Sequence, residues 1–407
     1  MIRITRLAVV VALLSIYGIA SAQDNNRIES FPGEEQIVYA TDIITGAQSV
    51  NEYLPLLKGK RVALLSNHTG MVTEKRHVVD TLVSSGVNVV CIMSPEHGFR
   101  GSADAGEHVS SSVDEKTGIE IISLYGVKHK NEDLTKRFDV MVFDLQDVGV
   151  RFYTYYITMT KMMEACAEAG KEFIVLDRPN PIGYLTDGPI LDMKYKSGVG
   201  YLPIPTAHGM TLGELALMIN GEKWLKDGIQ CKLTVIKCKN YNHKKLYRLP
   251  LKPSPNLPDM RSVYLYPSTC YFEQTPLSLG RGTDKPFQVY GHPNIKDKEF
   301  TFTPVPNYGA KDPRYKNQVC YGVDLRREPS IAQIMEDGIN FSYIIDAYKS
   351  MNLDRNYFFG SGFELETGQL WIRNMIKEGK SAAEIKAAWA KDVEAFKKQR
   401  EPYMLYE

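Results

Sequence analysis

Short apolar blocks recur through the first half of the chain, and each ends abruptly in polar or ionisable side chains. Residues 61–66 (RVALLS), 87–93 (VNVVCIM), 119–124 (IEIISL), 140–145 (VMVFDL) and 172–176 (EFIVL) read as strands. Nearly unbroken Val, Ile and Leu runs suit strands covered on both faces. Helical patterns lie between them: 73–85, opened by Thr73 as a cap, and 155–170, closed by Gly170. This alternation predicts an α/β fold with a Rossmann-like parallel sheet. Beyond residue 200 prolines interrupt the pattern. Thr211-Leu212-Gly213-Glu214 reads as a capping box opening a helix through Met218. Residues 231–238 read as a strand, 262–276 as an extended aromatic segment, and 331–349 and 381–398 as amphipathic helices. The expected division is a Rossmann-like domain over 23–205 and a smaller α+β domain over 206–407 that closes a cleft.

The first residues carry an export pattern. Arg3 and Arg6 form a basic start, 7–16 is an apolar stretch too short to span a bilayer, and Ala20-Ser21-Ala22 is a small-residue cleavage site. Removal of 1–22 would leave an exported, periplasmic or extracellular chain with no membrane span. The net charge of +1 gives no field to attract nucleic acid. The 24 Tyr against 3 Trp favour flat, amphipathic surfaces of the kind that stack on sugars. Six cysteines show no metal-ligand spacing, and Cys231 and Cys238 are placed on opposite sides of one strand, too far apart to bridge. No GxGxxG or phosphate-loop motif follows the strands, so the topology implies no nucleotide.

In a parallel sheet the loops after the strands share one edge, where ligands bind. Here those loops carry Asn67 and His68; Glu96, His97 and Arg100, with Glu107 further on; Tyr125; Gln146, Asp147, Arg151 and Tyr153; and Asp177, Arg178 and Asn180. The second half adds His208, Asn256 in a proline-stiffened loop, Glu273, and Arg281 and Thr283 in a Gly-Arg-Gly-Thr turn. Several carboxyl groups without a serine-nucleophile motif suggest acid–base chemistry of the kind that cleaves glycosides. Asp144, inside its strand, is a structural candidate, and Asp177-Arg178 is equally readable as an internal ion pair. No HExxH, HxH or DxD pattern supports a metal, and neither metal nor cofactor is expected.

The motifs SNHTG at 66–70, SPEHGFRG at 94–101, DAGE at 104–107, VDEKTG at 113–118 and SLYG at 123–126 come in a fixed order. They continue with FDLQDVGVRFYTY at 143–155, VLDRPNP at 175–181, HGMTLGELA at 208–216, PSPNLP at 253–258 and LGRGTDKPF at 279–287. Together they resemble the exo-β-N-acetylmuramidases of glycoside hydrolase family 171, formerly a domain of unknown function. The resemblance implies release of N-acetylmuramic acid from the non-reducing end of peptidoglycan fragments, in cell-wall recycling. It also implies a site between the two domains, with Glu96 of the PEHG motif as the general acid. The second catalytic group stays open among Glu107, Asp147, Asp177 and Glu273, of which Glu273 and Asp147 are the leading candidates. A close nucleophile, a water-based route and a substrate-assisted route all stay open, with the last two favoured. Arg100, Arg151 and Arg281 are the candidates for reading the lactyl carboxylate. The competing readings are a non-catalytic periplasmic glycan-binding protein and a metal-dependent hydrolase of a cell-wall fragment.

Overall fold

The apolar blocks assemble into one sheet in the computed structural model, which describes residues 26–95, 99, 112–124, 131–351 and 357–407. The strands are β1 (Arg61–Ser66), β2 (Asn88–Ser94), β3 (Ser112–Val113), β4 (Glu120–Ser123), β5 (Val140–Asp144), β6 (Glu172–Leu176) and β7 (Lys232–Ile236). Among the described residues their order is β3-β4-β2-β1-β5-β6-β7, and every pairing is parallel except β3 with β4. Side chains alternate between the two faces, as strand geometry requires. Val62, Leu64, Val140, Val142 and Ile174 pack on one face against Tyr53, Leu57 and Val79. Ala63, Leu65, Met141, Phe143 and Phe173 pack on the other against the helices Tyr155–Glu168 and Leu212–Gly221. That second core runs without a break into Phe341 and Trp389 of the C-terminal part.

The C-terminal part carries a three-stranded antiparallel sheet, ordered Val289–His292, Cys320–Asp324, Phe300–Phe302. The same part holds the helices Met260–Thr269, Ile331–Asp337, Ser342–Met351 and Ala382–Arg400. None of the described helices is long and apolar enough to cross a membrane. All six cysteines are buried free thiols.

Four expectations change. The strand Lys232–Ile236 pairs with β6, so residues 206–236 complete the parallel sheet instead of opening a second domain. The helix expected over 73–85 starts later. Met71–Thr73 and Arg76–His77 form a small hairpin, and His77 caps the helix Val78–Ser84 by accepting from the Val79 amide at 3.2 Å. The segment 262–276 is not extended. It is the helix Met260–Thr269, capped by Asp259 and buried on every side, followed by the short turn Cys270–Gln274. The helix expected over 331–349 divides in two at Gly338, whose φ of 61° suits glycine.

A buried ion pair stands at the sheet's carboxyl edge. Arg178 Nε lies 2.6 Å from Asp144 Oδ1, Nη2 donates to Oδ2 at 3.0 Å, and both side chains are almost fully enclosed. Arg178 thus pairs with Asp144 and not with its neighbour Asp177. Removing one partner strands a charge in the interior, which costs about 3–5 kcal/mol. Asp144→Ala is therefore expected to lose about that much stability in urea unfolding, and Asp144→Leu combined with Arg178→Met to recover most of it. A single substitution costing under about 1 kcal/mol would remove the pair from its structural role.

Candidate active site

A cavity of about 490 Å³ opens where the loop after β5 meets the C-terminal part. Phe152, Tyr153, Thr154 and Tyr155 form one side, Ser254, Asn256 and Leu257 another, and Gly198, Val199, Tyr266, Cys270, Glu273, Gln274, Arg281, Phe287 and Glu366 the rest.

The sheet edge builds the first wall. At the end of β1, Asn67 Nδ2 donates to the Tyr155 hydroxyl at 2.8 Å, and Thr69 donates to Asn67 Oδ1 at 2.6 Å. Tyr153 donates to the Pro253 carbonyl at 2.5 Å and meets Tyr155 edge-on, ring centroids 4.7 Å apart. His68 Nε2 lies 2.8 Å from the Lys252 carbonyl. These contacts hold the loop 252–257 against the tyrosines, and Asn256 Nδ2 secures it further on the Gly309 carbonyl at 2.8 Å. The proline-rich loop walls the cleft as its stiffness predicts.

The turn at 280–283 supplies the charge. Gly280 and Gly282 have φ of 75° and 80°, and Thr283 closes the turn by donating to the Gly280 carbonyl at 2.6 Å. Thr283 therefore acts as a turn residue. The turn projects Arg281, whose Nε and Nη2 both donate to Glu273 Oε1, at 3.0 and 2.7 Å. Its Nη1 takes no part in that pair.

Of the residues nominated from sequence, Tyr153, Asn256, Glu273 and Arg281 line this cavity, and Asn67 and His68 brace its walls. Glu96, His97, Arg100, Glu107 and Tyr125 lie outside the described residues. Others are corrected from substrate contacts to supports of the fold. Arg151 is buried and donates to the carbonyls of Pro189, Ile204 and Glu366 at 2.9, 2.9 and 2.8 Å. Asp177 accepts from Thr211, Gly213, Tyr406 and its neighbour's amide. Arg178 is held in its pair with Asp144. Asn180 bridges Met210 and Ile182. Burial and the nearby charges of Arg400 and His243 push the His208 imidazole down to about 3, so it stays neutral, with Nδ1 accepting from the Met210 amide. Gln146 donates to the carbonyls of Asp147 and Pro179, and neither Gln146 nor Asp147 lines this cavity. Among the polar lining residues that were not nominated are Thr154, Ser254, Gln274 and Glu366. Glu366 belongs to no motif, and only the fold shows that it is enclosed.

Both halves of the chain match a family description. Residues 62–261 match "Exo-beta-N-acetylmuramidase NamZ, N-terminal", and residues 264–406 match its C-terminal counterpart. The peptidoglycan beta-N-acetylmuramidase NamZ of Bacillus subtilis is 39% identical over 375 residues, which cover 87% of this chain and 89% of that protein. The crystal structure of a DUF1343 family protein from Bacteroides fragilis superposes with a TM-score of 0.84 at 54% identity, covering 90% of this chain and 99% of that one. A second from the same organism gives 0.75 at 30% identity, covering 90% and 100%.

Asp147 provides a test of the buried electrostatics beneath the site. Burial pushes its carboxyl up to about 7, against the hydrogen bonds it accepts from the amides of Gly149 and Val148, and its Oδ2 has no hydrogen-bond partner among the described residues. The folded chain therefore holds a proton there that the unfolded chain releases near pH 4. Stability contributed by this group falls as pH rises from about 4 through about 7, by up to about 1 kcal/mol per pH unit. Asp147→Asn is expected to flatten that part of the fall in melting temperature between pH 5 and 7.5. Parallel curves for variant and parent would show that the carboxyl titrates as in the unfolded chain.

Proposed function

The chain belongs to the exo-β-N-acetylmuramidase NamZ family, and from that membership we propose that it releases N-acetylmuramic acid from the non-reducing end of peptidoglycan fragments, with Glu96 as general acid. The observation that carries this reading is Arg281 in a tyrosine-lined cavity at the carboxyl edge of the sheet. Muramic acid differs from glucosamine by a lactyl ether ending in a carboxylate. A guanidinium beside flat aromatic faces suits both the charge and the sugar ring.

Several features support Glu96. β2 ends at Ser94, directly before the PEHG motif, and β2 pairs with β1, whose own end braces Tyr155. A carboxylic acid on that edge protonates the leaving glycosidic oxygen as the bond breaks. The attack on the anomeric carbon then comes from water or from the substrate's acetamido oxygen, and a second carboxylate orients the attacking group. Glu273 lines the cavity, and Arg281 fixes the direction of its Oε1. Within this proposal the protein acts outside the cytoplasm, where peptidoglycan lies, and residues 1–22 direct its export.

Two substitutions test the proposal on a chromogenic β-N-acetylmuramide. Glu96→Gln should leave the melting temperature in place and lower turnover by about 10²–10⁴-fold; turnover at the parent's rate would refute the assignment. Arg281→Ala should raise KM for the muramide by about 10–100-fold, the loss of one charge-assisted hydrogen bond. It should also narrow the preference over the matching glucosaminide. An unchanged preference would rule out carboxylate recognition by Arg281.

A further inference from the structure

Glu366 is the polar group in the cavity whose chemistry is unaccounted for. It lies in the short helix Phe363–Thr367 and is 4% exposed. Its position is rigid. The Glu366 carbonyl accepts from Arg151 Nη2 at 2.8 Å, and the Gly360 amide ahead of the helix donates to the Gln274 carbonyl at 2.7 Å. At Gly362 a Cβ would come within 2.4 Å of Gln274 Oε1, so a larger residue there would displace the Gln274 side chain. The Gln274 side chain hydrogen-bonds the Glu366 carboxyl, yet Oε2 is buried with no partner among the described residues.

We propose that Glu366 determines substrate specificity by donating a hydrogen bond from its carboxyl group to the carboxylate of the sugar bound beside Arg281. A neutral carboxylic acid carries one O–H that needs an acceptor. The described protein gives Oε2 none, and Glu366 borders the cavity, so the carboxyl group can find its acceptor in a ligand bound there. Arg281 in the same cavity makes a carboxylate the acceptor that satisfies both groups at once. Burial first, then the charge of Glu273, push the Glu366 carboxyl up to about 8, against Arg151 and the Gln274 amide. The other charged or titratable groups facing it are Tyr266 and Cys270, which burial holds well above their usual ranges, and Arg281. Glu366 is thus placed to titrate within pH 6–9. Below about 8 it donates to a carboxylate, and above that it repels one.

This inference rests on the muramide reading above, so its test separates the two. The kcat/KM ratio of β-N-acetylmuramide to β-N-acetylglucosaminide is measured from pH 6 to 9.5 for the parent, Glu366→Gln and Glu366→Met. The Kd of free N-acetylmuramic acid against that of N-acetylglucosamine, by calorimetry, gives the same discrimination without turnover. The parent's discrimination should fall about tenfold or more above pH 8. Glu366→Gln keeps a donor that does not titrate, so its discrimination should stay level. Glu366→Met should discriminate about tenfold less at pH 6.5, chiefly through KM. Discrimination in binding without sugar release would overturn the muramidase reading and support the role of Glu366. Equal Kd values for the two sugars in the parent at pH 6.5, or an alkaline fall in Glu366→Gln matching the parent's, would overturn that role. If Glu366→Met does not fold, the parent and Glu366→Gln profiles decide alone.

Discussion

Arg151 stands fully enclosed between the two halves of the chain, and among the described residues its guanidinium donates only to main-chain carbonyls: Pro189, Ile204 and Glu366. A cation in that position tolerates no rearrangement that removes those oxygens, because an uncompensated buried charge is far more costly than a lost neutral hydrogen bond. Burial already lowers its pKa. The consequence is geometric. The loop that carries Tyr153 and leads into the helix at Tyr155, and the helix that carries Glu366, are held at a set separation by one side chain. Gly368 marks how close the approach is: a Cβ there would lie 3.1 Å from Arg151 Nη2. The cavity keeps its shape because this charge sits behind its walls and not in it.

The buried carboxyl groups divide by the number of donors they receive. Asp177 accepts four hydrogen bonds and Asp144 is paired with Arg178, so both charges are satisfied within the fold. Glu366 lines the cavity and keeps one buried oxygen without a donor among the described residues. Glu273 lies between the two cases, with one oxygen committed to a guanidinium that itself faces the cavity.

Much of the sheet was legible in the sequence because strands covered on both faces must be apolar throughout. β1 and β6 fall where their runs begin and end. The helix Met260–Thr269 was not legible for the same reason: it too is buried on every side, so it lacks the polar stripe that marks a helical period. β7, with its alternating exposure, read as a strand but not as a member of the first sheet, since pairing partners are not written in a strand's own residues. At the site, the Gly-Arg-Gly-Thr turn and the proline-stiffened loop were visible because their chemistry is local. Arg151, Asp177 and Arg178 resembled ligand contacts because a side chain that binds carbonyls inside a fold has the same composition as one that binds substrate. Glu366 gave no signal at all, since its burial depends on helices far apart in the chain.

The Tyr406 hydroxyl donates to Asp177 at 2.6 Å and accepts from the Cys238 amide at 2.9 Å, joining Tyr406 to the ends of β6 and β7. Synthesis runs from the other end. All seven strands of the main sheet leave the ribosome well over a hundred residues before Tyr406 does, so Asp177 waits through the making of the C-terminal part for its last donor. The order of events is thereby set: this corner of the sheet edge closes only once Tyr406 has been made, and a chain cut before it is altered at the buried end of that sheet.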